Sequence, residues 1–217
     1  MKKKNSIFYV VILVSIFFTG CQQNGKTPDE SNKPNGNQYY VKDIKKHKPS
    51  TGLTLLNVKS YQQTTEYTCG PSSVITLLNY YKRTGNEMKI ASEMETDTTT
   101  GTTPEKMTAW LNKNGFKASW HEHGTLETLR NNLKKNKPTI VEWIDWGGHW
   151  VVVIGYDTRN TKDPMDDVII FADPYDRHDG NPDGITWFNA QRFYYMWFGE
   201  LHTGRVIKNI YIDCEPI

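Results

Sequence analysis

Cys69 stands in the run Gln63-Thr64-Thr65-Glu66-Tyr67-Thr68-Cys69-Gly70-Pro71-Ser72-Ser73, at the mouth of a helical pattern. Farther along comes Gly147-Gly148-His149-Trp150-Val151-Val152-Val153, a histidine heading an apolar strand. A thiol at a helix start and an imidazole at a strand head are the two halves of a cysteine nucleophile site. Cysteine attacks as thiolate, and a free thiol has a pKa of about 8.5, so it needs help to ionise near neutral pH. The positive end of a helix supplies part of that help, and a nearby imidazolium supplies more. Gly70 keeps bulk away from a carbonyl under attack, and Pro71 suits a first helical turn. His149 would take the thiol proton and later give one to a leaving amine. The plainer readings are a buried structural cysteine and a core or capping histidine. His47, His121, His123, His178 and His202 sit in polar or linking segments and make weaker bases.

A histidine base works best with its second nitrogen held by an acceptor. Asp173 ends the run Asp167-Val-Ile-Ile-Phe-Ala-Asp173. It falls near the imidazole if that strand pairs beside the His149 strand; Asp176 and Asp157 are its rivals. A developing oxyanion needs donors. The backbone N–H of Cys69 is one, and the Gln63 side chain is the natural second, with Gln62 chemically equivalent. Trp143, Trp146 and Trp150 flank the histidine and line either a cleft or the core. Two other clusters have a metal-like look. Asp173, Asp176, Asp179 and Asp183 share one loop, but their spacing does not match a calcium-binding loop. His121-Glu122-His123 lacks a second ligand pair for zinc. No cofactor or metal is expected.

The elements that must hold these groups are legible in outline. Leu53 to Val58 reads as an entry strand and Cys69 to Arg83 as a helix, with Val74, Leu77, Leu78 and Tyr81 at helical spacing and Gly85 beyond its end. Lys89 to Met94 is a short helix, and Thr96 to Thr103 is a loop. Pro104 to Asn114 is a helix capped by Thr103 and closed by Gly115, and Thr125 to Lys135 is another, capped by Thr125. Phe116 to His121 looks extended. Thr139 to Ile144, His149 to Tyr156, Val168 to Ala172 and Val206 to Asp213 are strand-like runs of Val, Ile and aromatics, with a helix over Asn189 to Phe198 between the last two. Helices first and antiparallel strands afterwards describe an α+β domain.

The ends carry different information. Lys2, Lys3 and Lys4 precede an apolar run, Ile7 to Phe18, that is too short to span a bilayer stably. Phe18-Thr19-Gly20-Cys21 resembles a bacterial lipobox, with the Cys21 thiol as the lipid acceptor and Phe18 in place of the usual leucine. A plain secretory signal is the other reading; both export the chain. Each buried methylene of an acyl chain contributes about 0.8 kcal/mol to anchoring. Residues 22–50 are polar and rich in Asn, Gly, Lys and Pro, and read as a flexible tether. Residues 51–217 are about the size of one domain. Among 217 residues there are 7 Trp and 12 Tyr, ample for a core, and the formal charge is only +2, with no basic patch arguing for nucleic acid. Of the 3 cysteines, Cys21 is assigned to lipid, leaving Cys69 and Cys214. A disulfide between them is one reading in an exported protein. A free nucleophile with Cys214 as a small buried hydrophobe is the other.

Gln63, Cys69-Gly70-Pro71, Gly148-His149-Trp150-Val151-Val152 and Asp173-Pro174, in that order, resemble the bacteriocin-processing type of papain-like cysteine peptidase (peptidase family C39), and more closely its stand-alone relatives. The resemblance covers about Tyr61 to Cys214. It implies a papain-like fold with N-terminal helices packed on an antiparallel sheet. It also implies Cys69 as nucleophile, His149 as base, Asp173 as orienting acid and Gln63 in the oxyanion hole. Founding members are fused to membrane-spanning exporters and cleave leaders after Gly-Gly. Nothing comparable to the exporter is present in this sequence, so leader processing is not carried over. A polar loop, Thr158 to Asp166, also lengthens the gap between His149 and Asp173.

The expectation is an exported, lipid-anchored cysteine peptidase, monomeric, acting on a peptide or protein substrate and meeting the membrane through its N-terminal lipid. A cell-wall peptide amidase or peptidase is the rival among enzymes. A non-catalytic peptide-binding module on the same fold is the rival outside them.

Overall fold

Eight consecutive residues of one strand, His149 through Tyr156, are buried, and that strand organises everything else. An unbroken buried run belongs to a strand covered on both faces, not to one with a wet side. The computed structural model describes residues 51–176, 183–201 and 204–217. The signal segment, Cys21 and the tether lie outside the described residues, as do His47, His178, Asp179, Gly180, His202 and the side chain of Trp146.

In chain order the elements are β1 (Leu53–Leu55), α1 (Cys69–Tyr80), α2 (Glu87–Glu93), α3 (Pro104–Lys113), β2 (Phe116–His121), α4 (Leu126–Lys134), β3 (Thr139–Trp143), β4 (His149–Asp157), β5 (Val168–Ala172), β6 (Ile185–Asn189), α5 (Ala190–Met196), β7 (Phe198–Leu201), β8 (Arg205–Lys208) and β9 (Tyr211–Pro216). The main sheet runs β2-β9-β3-β4-β5-β6, with β1 joining β4 beside β3. Every pairing in it is antiparallel. Helices α1 and α4 both pack against β4. The α+β architecture with helices on an antiparallel sheet is thus as the sequence indicates.

Local chemistry explains most of the boundaries. Thr103 accepts from the Lys106 N–H and Pro104 opens α3, while Thr125 and Thr128 form a reciprocal cap on α4. Four boundaries depart from the sequence reading. The entry strand stops at Leu55 instead of Val58, although Leu56 N–H still donates to Ile154 O at 2.8 Å. Helix α1 ends at Tyr80, three residues short of Arg83, because Lys82 turns left-handed (φ 59°) and Arg83 N–H closes back on Leu78 O at 2.8 Å. The single strand read over Val206 to Asp213 is two. Asn209, at φ 53°, breaks it, sending β8 to pair with β7 and β9 to join β2 and β3. Strands β6 and β7 flank a helix α5 shorter than the one anticipated.

Trp143, Phe171, Phe188, Phe193 and Trp197 make the aromatic centre of the core, with ring centroids 4.8 Å apart for Trp143–Phe188 and 5.1 Å for Phe193–Trp197. Such pairs add about 0.5–1.5 kcal/mol each beyond simple burial. Trp143 is therefore a core residue and not a cleft wall. Cys69 and Cys214 are both free thiols, so the disulfide reading is set aside. On β9, burial and then the neighbouring Asp213 charge push the Cys214 thiol up to about 12, which makes it a poor nucleophile.

Candidate active site

Cys69 is the first residue of α1 and is buried. Its N–H, at the first helical position, has no acceptor within the helix. The residue before it, Thr68, does not cap α1 with its side chain. Its hydroxyl goes instead to Glu87 of α2, which is 3 % exposed. Glu87 also accepts from Thr64 N–H and Thr64 Oγ1, both at 2.8 Å, and from the Tyr61 hydroxyl at 3.2 Å. Burial works against a charged Glu87, but these hydrogen bonds, led by Thr68, outweigh it and hold the carboxyl below its ordinary range. One carboxylate thus clasps the whole approach to Cys69. Gly70 has a different task from the one its position suggests. A Cβ there would lie 3.0 Å from Thr102 Cβ and 3.4 Å from the Met107 sulfur, so glycine lets the 98–102 loop press against α1.

His149 arrives by another route. A 3₁₀ turn, Asp145–Gly147, leads into Gly147 (φ 85°) and Gly148 (φ 129°), two successive left-handed residues that favour glycine. They aim His149 inward at the head of β4. Pairing of Val152 with Ala172 brings the end of β5 alongside. The outcome is a His149 Nε2 to Asp173 Oδ1 contact of 2.8 Å, with His149 4 % exposed and Asp173 fully buried. Asp173 is held in turn: Oδ1 accepts from Tyr175 N–H at 2.8 Å and Oδ2 from Thr186 Oγ1 at 3.0 Å. Asp157 accepts from Arg159 N–H at the far end of β4, and Asp176 Oδ2 accepts from Gly184 N–H, so neither rival carries the imidazole contact.

With Nε2 on Asp173, Nδ1 is the ring nitrogen left for the hydrogen bond to the Cys69 thiol. Burial alone would discharge the imidazole. The hydrogen bonds to Asp173 and Cys69, followed by their charges, more than offset it and push His149 up to about 10. Asp173 shows the mirror image: burial opposes its charge, but the His149 hydrogen bond and charge win and keep it below the usual carboxylate range. An imidazolium held between a carboxylate and a thiol is the charge pattern of an activated sulfur nucleophile.

The two glutamines separate. Gln62 Nε2 donates to Asp173 O at 2.7 Å and its Oε1 accepts from Asp176 N–H at 3.3 Å, which commits it to the acid's backbone. Gln63 Nε2 donates to Thr65 O at 2.7 Å. That bond uses one of its two amide hydrogens, while Gln63 Oε1 is buried with no hydrogen-bond partner among the described residues. Gln63 N–H donates to Pro174 O at 2.8 Å, tying the glutamine loop to the segment after Asp173.

Beside Cys69 opens a cleft of about 530 Å³. Glu66, Tyr67 and the 98–102 loop form one wall; Glu142, Gly147, Gly148 and Trp150 form the other. Trp150 both seals and lines it, donating from Nε1 to Thr102 O at 2.9 Å. The zinc-like pair is spent elsewhere: His121 bonds Ser119 and stacks on Tyr211, and Glu122 holds Arg205. The sequence reading marks Thr96 to Thr103 as a loop but gives neither that loop nor Glu87 or Glu142 a place at the site. Glu142 had left a signal, a lone charge inside the apolar run Thr139-Ile-Val-Glu-Trp143.

A thiol at a helix N-terminus facing an imidazole at a strand head, over an antiparallel sheet, is the arrangement of a papain-like cysteine peptidase. Residues 55–198 match the model of the Peptidase_C39 like family. The chain belongs to that family. Three solved structures share its fold. The peptidase domain of Streptococcus ComA, a bi-functional ABC transporter involved in a quorum sensing pathway, is 21% identical, with a TM-score of 0.53, over 73% of this chain and 98% of that one. A C39-like peptidase from Bacillus anthracis is 16% identical, with a TM-score of 0.54, over 76% and 98%. A double glycine motif protease from an AMS/PCAT transporter, solved with a leader peptide, is 18% identical, with a TM-score of 0.51, over 75% and 94%. A search of curated proteins finds no match.

Proposed function

We propose that this chain is an active cysteine peptidase, with Cys69 as nucleophile, His149 as proton carrier, Asp173 as orienting acid and Gln63 with the Cys69 N–H as oxyanion donors. The observation that carries the reading is the buried Cys69–His149–Asp173 chain with its imidazole kept charged. The Cys69 thiolate attacks the carbonyl carbon of a peptide bond. Negative charge collects on oxygen, where the Cys69 N–H and the free Gln63 amide hydrogen can meet it. His149 Nδ1 gives its proton to the departing amine, leaving a thioester on Cys69. The now neutral imidazole takes a proton from water, the resulting hydroxide attacks the thioester, and thiolate and imidazolium are restored. Asp173 on Nε2 keeps Nδ1 aimed at sulfur throughout.

An extended peptide is the proposed ligand of the cleft; one structure of the same fold is titled as a complex with a leader peptide. Export and lipid attachment at Cys21 belong to the same proposal, since a tethered peptidase outside the cytoplasm meets peptides there. The test is turnover of a mixed-sequence quenched peptide library by the full chain against C69A. Cleavage by the parent that is lost by at least about a thousandfold in a folded C69A is the expected result. A parent that cleaves nothing, while Cys69 alkylates no faster than free cysteine, would overturn it.

A further inference from the structure

Glu142 lies on β3 opposite Trp150, one residue from the Trp143–His149 pair, and lines the cleft that holds Cys69. Its carboxylate is set between two glycines. Oε1 is 3.4 Å from where a Cβ on Gly148 would be, and Oε2 is 2.4 Å from the corresponding point on Gly199. Any side chain at 199 would collide with it, so β7 leaves that space to the carboxylate. No hydrogen bond or ion pair reaches Glu142 among the described residues. Burial, with the charge of Glu105 adding to it, pushes the carboxyl up to about 7. Glu142 is half-buried on the cleft wall, and a carboxylate without a partner there attracts a cation more strongly than one in bulk water. The other charged residue on the described cleft walls, Glu66, is also acidic. Two buried carboxylates elsewhere are already satisfied: Glu87 by Thr64, Thr68 and Tyr61, and Asp167 by the Tyr156 hydroxyl at 2.7 Å.

We infer that Glu142 is a specificity residue that seats a cationic group of the substrate, an alkylammonium or guanidinium, in the cleft beside Cys69. The inference rests on the proposed peptide substrate and names what that peptide must carry. Two sources share the chemistry: a Lys or Arg side chain, and a free peptide N-terminus. The side chain and the terminus are separated by acetylating the peptide.

The experiment measures fluorescence polarisation of labelled hexapeptides on C69A, so that binding is read without turnover. Each set differs at one position only, Lys, Arg, Gln or Glu, with free and acetylated N-termini. The expected result is tighter binding of a cationic peptide over its Gln counterpart by about tenfold or more, lost in E142Q and partly kept in E142D. A Lys-over-Gln preference that survives acetylation assigns the side chain; affinity that falls on acetylation in Lys and Gln peptides alike assigns the terminus. Equal affinity for Lys and Gln peptides that acetylation leaves unchanged overturns the inference, as does a preference that E142Q leaves intact or an absence of binding across the set. Cleavage of the same peptides by the parent reports separately on the peptidase reading. Cationic preference without cleavage sinks the catalytic proposal alone, and cleavage without preference sinks this one alone.

Discussion

The proposed nucleophile and the proposed base reach the same point on different kinds of support. Cys69 comes in on a strandless segment, residues 56–68, held by side chains: Glu87 on Thr64, Thr68 and Tyr61, and Thr76 Oγ1 accepting from Tyr61 N–H at 2.9 Å. His149 comes in on β4, whose ladders to β3, β5 and β1 are backbone. A ladder distributes its strength over many bonds that any apolar sequence can make. A clasp concentrates it in one carboxylate. The base side should therefore tolerate substitution and acid better than the nucleophile side.

The largest effect is expected where the two supports meet chemistry. D173N keeps the shape but removes the charge that orients the imidazole, and kcat should fall by about 10³–10⁴-fold with the fold retained by circular dichroism. A fall no larger than that of a surface Asp→Asn would place the orienting group elsewhere. Next comes E87Q, which strikes the clasp and leaves the ladders alone. Loss of charge-assisted hydrogen bonds should lower stability by about 2 kcal/mol in urea titration. Turnover should drop about 10–100-fold as the Cys69 approach loosens. Because the folded Glu87 titrates below its ordinary value of about 4.3, its contribution is present above that pH and fades as pH falls through the lower folded value. E87Q should flatten that acid limb. If it does not, the contrast between clasp and ladder is wrong.

A subtler sharpening is the titration of His149 itself. Its folded pKa is raised, to about 10, so its stabilising charge is complete below the free value of about 6.5 and is lost as pH rises through about 10. The ring proton resonances of His149 should hold still from about pH 6 to 8, where an ordinary histidine moves. In D173N they should move within that range. E87Q should leave them unchanged, since it works on the other support. The smallest effect belongs to C214A. It removes a buried thiol that the mechanism does not use, so turnover should match the parent, with stability lower by about 1 kcal/mol. Loss of activity in that variant would give Cys214 a role that its place on β9 does not suggest.

The same contrast explains what could be read from the sequence. Helices α1, α3 and α4 announce themselves through Pro71, Thr103, Thr125 and apolar spacing, all local signals. The Cys69, His149 and Asp173 juxtaposition follows from residue order and strand pairing, and the 2.8 Å contact between His149 and Asp173 is what the β4–β5 register makes of it. The clasp was invisible because Glu87 looks like any first-turn glutamate until α2 folds against the loop. Strands β6, β7 and β8 were missed or merged because their partners, not their compositions, define them. Asn209 gave no warning that it would turn left-handed and split a single apolar run.

The bond from Gln63 N–H to Pro174 O joins two segments that helices α1 to α4 and strands β2 to β5 separate along the chain. Neither end of the chemistry exists before that closure. A partly folded molecule has a cysteine on one piece and an imidazole on another, with only the helix end to help ionise the sulfur. Contacts this distant form late, since loop closure must precede them. On the proposed mechanism the thiol is armed only when the end of β5 docks on the Gln63 loop, and a chain still in passage carries a blunt weapon.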